Sequence, residues 1–211
     1  GIGRKLPHEL ENPIDNILIS IAELLNPYFH KLGATANFIT LISSIFSALT
    51  IFAFHYDFYE YAALFYFIQY FFDCMDGNYA RTYDQVTVFG DYFDHIKDVL
   101  TNIIIFFMLY NKQNIDTTTK YTILIISVIL LLTSFITLGC QQKQYNNDSY
   151  NDNNDVTIFD KFKKIYYNIN NDFTVLDELK FLCNGNQHDL LLYLKYFGTG
   201  TYTLFVSLSL L

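Results

Sequence analysis

Apolar positions recur along this chain in two different patterns, and each predicts a different kind of helix. In residues 12–31, Ile14, Ile17, Leu18, Ile21, Leu24, Leu25 and Tyr28 fall at helical spacing, with Asp15, Glu23 and Lys31 mostly on the other side. Asn12 followed by Pro13 marks the start, Asn as N-cap and Pro at the first helical position. This pattern predicts an amphipathic helix lying at a membrane surface. A core helix of a soluble protein has the same spacing, and the polar face here is not basic. Further on, the chain is apolar all round. Asn37 to Tyr56 runs 20 residues without a formal charge, enough for one bilayer crossing. After a polar turn at residues 57–60, an aromatic-rich run from Tyr61 to Phe72 meets Asp73. A spanning helix there has to continue through the acidic segment to Arg81. The next covers Gly90 to Tyr110, charged in its first half and apolar in its second. Tyr121 to Gln142 gives 22 uncharged residues, the clearest span, and a last one starts near Leu190.

Residues 143–189 break the pattern with the polar clusters Asn146-Asn147-Asp148, Asn151 to Asp155 and Asn170-Asn171-Asp172. They predict a loop, with short interfacial helices at Phe159–Ile169 and Val175–Leu182. The organisation expected is therefore all-α, a polytopic transmembrane helix bundle preceded by a surface helix. Residues 1–32 form the juxtamembrane segment, 33–142 a core of four spans, 143–189 a polar cytoplasmic loop and 190–211 a truncated fifth span. Gly1 at the start and an apolar run at the end predict a longer protein.

Composition supports the membrane reading: 52% of residues are hydrophobic, 18% aromatic and only 16% charged, against about 25% charged in soluble domains. The net charge of −8 argues against nucleic acid, which is bound by neutralising phosphates. Cys74, Cys140 and Cys183 are too scattered to predict a disulfide framework or a metal knuckle. Nine Lys and Arg fall before span one, between spans two and three or in the 143–189 loop, against Lys112 and Lys120 on the opposite side. That asymmetry puts the N-terminus and both of those loops in the cytoplasm.

The candidate chemistry lies where charge interrupts the apolar runs. Asp73 and Asp76 are three apart and share one helix face; Asp94 and Asp98, four apart, share another. A tight turn between antiparallel helices gathers four carboxylates near the cytoplasmic boundary. Such a cluster calls for oxygen-seeking divalent cations, Mg²⁺ or Mn²⁺ with a substrate phosphate. Glycine inside a helix costs about 1 kcal/mol relative to Ala, so Gly77 and Gly90 need a reason. A missing Cβ lets a flat or phosphorylated ligand approach, Ala80 keeps the same wall low, and Arg81 supplies a charge for phosphate. A lone Asp at a helix end, such as Asp91, is usually just solvated. Four carboxylates inside apolar runs are functional by default.

The pattern D-x2-D-G-x2-A-R-x8-G-x3-D-x3-D, matched at Asp73, Asp76, Gly77, Ala80, Arg81, Gly90, Asp94 and Asp98, resembles the signature of the CDP-alcohol phosphotransferase family. The resemblance extends to Asn37 and Thr40 at the opening of span one, where Ala36 replaces the family's Pro. It implies six core spans in the full protein, about five of them in this chain. It also implies a transferase of phospholipid biosynthesis that moves a substituted phosphate group from a CDP-linked donor to an alcohol and releases CMP. At least one substrate is then a lipid, and a homodimer fits the family. Two ions, Mg²⁺ or Mn²⁺, are implied. Asp73, Asp76 and Asp94 would hold one, Asp94 and Asp98 would help the second or face the acceptor, and Asp98 would be the general base. Gly77 and Ala80 would line the cytidine pocket, with Gly90 in the same donor-binding set and Arg81 near the diphosphate.

Phe93-Asp94-His95 and Asn26-Pro27-Tyr28 resemble the choline and ethanolamine phosphotransferases. The non-basic Thr82-Tyr83-Asp84-Gln85 departs from them. The alternative is a phosphatidyltransferase using CDP-diacylglycerol with glycerol phosphate, inositol or serine. A phosphate-bearing acceptor wants extra cations; Lys97, three residues from Asp94, faces the pocket or snorkels. His95 is read as a packing residue. Intramembrane prenyltransferases lack the D-G-x2-A-R and G-x3-D combination. A metal-ion transporter leaves Gly77, Ala80 and Arg81 without a role.

Overall fold

In the computed structural model, residues 3–112, 115–151, 183 and 187–211 are described. Among them every regular element is helical. The helices are α1 (Pro13–Lys31), α2 (Ala36–His55), α3 (Tyr59–Thr82), α4 (Val88–Asn111), α5 (Thr117–Asn151), α6 (Gln187–Leu194) and α7 (Thr199–Ser209). A 3₁₀ turn at Lys195–Phe197 joins the last two.

The start of α1 is the one the sequence encodes. The Asn12 side chain accepts from the backbone N–H of Ile14 at 2.9 Å and of Asp15 at 3.4 Å, and Pro13 occupies the first turn. Its apolar stripe divides in two. Leu18, Ile19 and Ala22 are buried, whereas Ile17, Leu24 and Tyr28 are exposed, as suits a helix resting on lipid. Asp15 departs from expectation: it is buried rather than on the outer polar face. The N-cap brings the first turn of α1 against α3 and α7, where Asp15 accepts from the Tyr70 hydroxyl at 2.7 Å and from Thr199 at 3.2 Å. The Asn12 amide donates to the Lys195 carbonyl at 2.6 Å and to Thr201 at 2.8 Å, so one residue both caps α1 and clasps α7.

Burial pushes the Asp15 carboxyl up to about 7; Glu11 nearby adds to this, while the Tyr70 hydroxyl opposes it. The fold therefore prefers the protonated acid. The stability this contributes is complete below the unfolded value of 3.8 and lost as pH rises through about 7. The thermal midpoint of the protein in detergent is expected to fall between pH 4 and about 7. Asp15→Asn should flatten that slope, leaving the part due to Glu11, whose carboxyl is also raised by burial. An equally steep slope in the variant contradicts this account.

α2 and α3 meet through small and polar side chains, the means by which helices approach closely in lipid. Ser43 donates to the Gln69 carbonyl at 2.9 Å and Ser47 to the Gln69 side chain at 3.0 Å. Ala53, Phe54, Ala62 and Tyr66 continue this contact into a core shared with Ile105 and Leu109 of α4 and Tyr202 and Val206 of α7. Outward, Ile96, Val99, Ile103 and Phe107 of α4 and Ile125, Ile129 and Leu132 of α5 are exposed, an apolar surface that belongs against acyl chains. Among the described residues, two helices, Ala36–His55 and Thr117–Gln141, are long and apolar enough to cross a membrane. At 24 residues each, α3 and α4 are as long but carry the aspartates.

Two further differences from the sequence reading concern the polar region. α5 runs on to Asn151, where the clusters predict loop from residue 143. Cys140 and Cys183 are joined in a disulfide with Cα atoms 5.7 Å apart, packed with Leu6, Leu10 and Leu191; their separation of 43 residues gave no sign of pairing. The expected interfacial helices at Phe159–Ile169 and Val175–Leu182 lie outside the described residues.

Candidate active site

The tight turn foreseen between the acidic helices is residues 83–87, between α3 and α4, with Asp84 in the left-handed region at φ 53°. It returns the chain so that Asp73 of α3 comes beside Asp94 and Asp98 of α4, and Asp76, Gly77, Ala80 and Arg81 of α3 share a cleft with Asp94. Asp73, Asp94 and Asp98 each offer an oxygen within 4.8 Å of the others. Asp76 sits one turn along α3 and lines an adjoining cleft with Thr40, Gly77, Ala80, Arg81 and Asp94. Its Oδ2 is buried with no hydrogen-bond partner, a costly state for a carboxylate unless a ligand completes it. A hard divalent cation suits such an oxygen-only set.

Gly77 has a reason beyond ligand access. A Cβ there would lie 3.3 Å from Nη1 and 3.6 Å from Nη2 of Arg81, so the bare backbone lets the guanidinium lie back along the helix. Arg81 Nε donates to the Gly3 carbonyl at 2.8 Å, which fixes the charged group at the cleft. Ala80 is partly buried against Met75 and Tyr79. Gly90 falls within α4. Nothing is described of the His95 side chain, and its expected packing role lies outside the described set.

Three residues outside the aspartate motif complete the site: Lys97, Ser43 and Asn102. Lys97, expected to face the pocket or to snorkel, faces the pocket, buried at 8% exposure in the middle of the carboxylates. Its ammonium donates to Asp73, to Asp94 at 2.8 Å and to Ser43 of α2 at 2.8 Å, and lies 3.1 Å from Asp98. The third is Asn102, one turn after Asp98. Its amide donates to the Asp98 carbonyl at 2.8 Å, and its oxygen accepts from Tyr66 at 2.9 Å and from Tyr202. Asn102 thereby ties the Asp98 turn to α3 and α7. The only signal for it was its i+4 offset from Asp98 in an apolar run.

On the other side of α3, buried Asn78, inside the acidic motif, accepts from Asn26 of α1 at 2.7 Å. The Tyr79 hydroxyl donates to the Ala34 carbonyl at 2.8 Å and lies 3.2 Å from Nδ1 of His30. α1 and the residues just after it thus brace α3, the helix of Asp73 and Asp76, from behind.

A family model described as CDP-alcohol phosphatidyltransferase matches residues 34–164, a stretch that includes α2, α3 and α4 and so the whole acidic site. No curated protein and no solved structure matches the chain.

Proposed function

The chain belongs to the CDP-alcohol phosphatidyltransferase family, and from that premise we propose that it transfers a substituted phosphate from a CDP-linked donor to the hydroxyl of an acceptor alcohol, releasing CMP. The family is one of membrane-bound transferases of phospholipid synthesis. The observation that carries the reading is the cleft in which Asp76, Gly77, Ala80, Arg81 and Asp94 meet beside Asp73 and Asp98.

In this reading the cytidine lies over the low wall of Gly77 and Ala80, and Arg81 neutralises charge on the diphosphate. Asp73, Asp76, Asp94 and Asp98 are the residues that would hold divalent metal, Mg²⁺ or Mn²⁺, of which the resemblance implies two ions. Metal held by these residues would supply charge neutralisation at the phosphate oxygens of an in-line displacement. Asp98 takes the proton of the attacking hydroxyl. The acceptor oxygen forms a bond to the phosphorus that carries the alcohol group of the donor, the bond from that phosphorus to CMP breaks, and CMP leaves with the electron pair. The apolar helices around the site keep the lipid substrate at the depth of the reacting groups. The distribution of Lys and Arg supports an N-terminus and active site facing the cytoplasm.

We assign the amino-alcohol branch, with CDP-choline or CDP-ethanolamine as donor and diacylglycerol as acceptor. The burial of Lys97 among the carboxylates supports this, because the ammonium is engaged there and does not serve an acceptor phosphate. Purified full-length protein with Mg²⁺ is expected to release CMP from CDP-choline or CDP-ethanolamine with diacylglycerol. Release only from CDP-diacylglycerol with glycerol 3-phosphate, inositol or serine overturns the branch and keeps the family chemistry.

A further inference from the structure

Three carboxylates, Asp73 of α3 with Asp94 and Asp98 of α4, surround one point, and a cation already stands there. The Lys97 ammonium contacts Asp73, Asp94 and Asp98, the same three residues whose oxygens lie within 4.8 Å of one another. Its stem rises from the helix turn between Asp94 and Asp98, so the charge is tethered to two of its own partners. Ser43, fully buried, closes the site from α2 and takes another of its hydrogen bonds at 2.8 Å. An ammonium has three donors, and Asp73, Asp94 and Ser43 accept all of them in this geometry.

A divalent ion placed among Asp73, Asp94 and Asp98 would have to displace the buried Lys97 ammonium from its hydrogen bonds to Asp73, Asp94 and Ser43, or share the point with a like charge. Neither is favourable in a low-dielectric site. The Asp76 side of the cluster differs. There Asp76 is 7% exposed, its Oδ2 is buried without a hydrogen-bond partner, and it shares the cleft with Asp94; Asp98 Oδ1 likewise accepts no hydrogen bond, but it lies 3.1 Å from the Lys97 ammonium.

Resting on the functional reading above, we propose that Lys97 is a built-in cation that takes the place of one of the two metal ions, so that the site binds a single divalent ion on the Asp76 side. Lys97 is then a positioning residue: it holds Asp98 and Asp73 in place without a second metal. A neutral side chain of similar length opens the second position.

The test is metal stoichiometry on the full-length protein in detergent, by Mn²⁺ titration followed by electron paramagnetic resonance. Wild type is expected to bind one Mn²⁺ per chain and Lys97→Met two, with a dipolar-coupled Mn²⁺ pair seen only in the variant. Lys97→Arg, which keeps the charge, should bind one. Two ions in wild type overturn the proposal whatever the variants do, so a variant that fails to fold leaves it testable. If wild type binds two ions and still releases CMP, the inference fails while the transferase reading stands. If it binds none and CMP release is indifferent to chelation, the metal-dependent reading itself fails, and this proposal with it.

Discussion

Asp98→Asn is expected to lower CMP release by about 10²–10⁴-fold, the usual contribution of a positioned general base. The amide keeps the size of the carboxylate, and the Lys97 ammonium, 3.1 Å away, keeps Asp73, Asp94 and Ser43 as its acceptors. The Asn102 bond to the Asp98 backbone carbonyl is untouched by the change. The thermal midpoint should therefore stay close to that of wild type while turnover collapses. The loss should fall on kcat more than on KM, because the proton is taken only as the acceptor attacks. Turnover within a few-fold of wild type would remove Asp98 from the base role and leave it as a structural or metal-holding group.

The second large effect is on stability and lies far from the aspartates. Gly200, in the first turn of α7, passes directly over the start of α1. A Cβ there would lie 2.3 Å from Asp15 Oδ1, 2.7 Å from Asn12 Oδ1 and 3.0 Å from the Ile14 Cβ. None of these can simply swing away. Asn12 caps α1 and clasps Lys195 and Thr201, and Asp15 is held by Tyr70 and Thr199. Gly200→Ala is expected to destabilise by about 1–3 kcal/mol, the range for overpacking a fitted interior, read as a lower thermal midpoint in detergent. An unchanged midpoint would mean that α7 does not sit on α1 as described.

Much of this arrangement is legible in the sequence, for identifiable reasons. Asn12-Pro13 encodes a helix start locally, and the structure begins α1 at Pro13. The aromatic run ending at Phe72 is too short to span alone, and α3 does continue through Asp73, Asp76 and Arg81 to Thr82. The i, i+3 and i, i+4 spacings set which aspartates share a face, and the turn at 83–87 brings those faces together. What was not legible depends on partners remote in the chain. A helical period assigns Asp15 a side of α1 but says nothing of Tyr70 and Thr199 waiting there. Lys97 has the right offset to face the carboxylates, yet its place depends on Ser43, 54 residues away on another helix. Asn- and Asp-rich sequence has no apolar period, so the extension of α5 to Asn151 left no trace. The pairing of Cys140 with Cys183 depends on how α5 packs with Leu6, Leu10 and Leu191.

The central claim is that one cleft, lined by α2, α3 and the start of α4, moves a substituted phosphate from a CDP-linked donor to an alcohol. The direct measurement uses CDP-choline or CDP-ethanolamine labelled in the amino-alcohol moiety, diacylglycerol vesicles, Mg²⁺ and the full-length protein. The account predicts label in a phospholipid and CMP formed in equal amounts, both abolished by chelation. CMP without labelled lipid would identify a hydrolase. Neither product from any CDP-linked donor and alcohol, in a folded protein that passes divalent ions across the vesicle membrane, would contradict the account and make the aspartates a cation path.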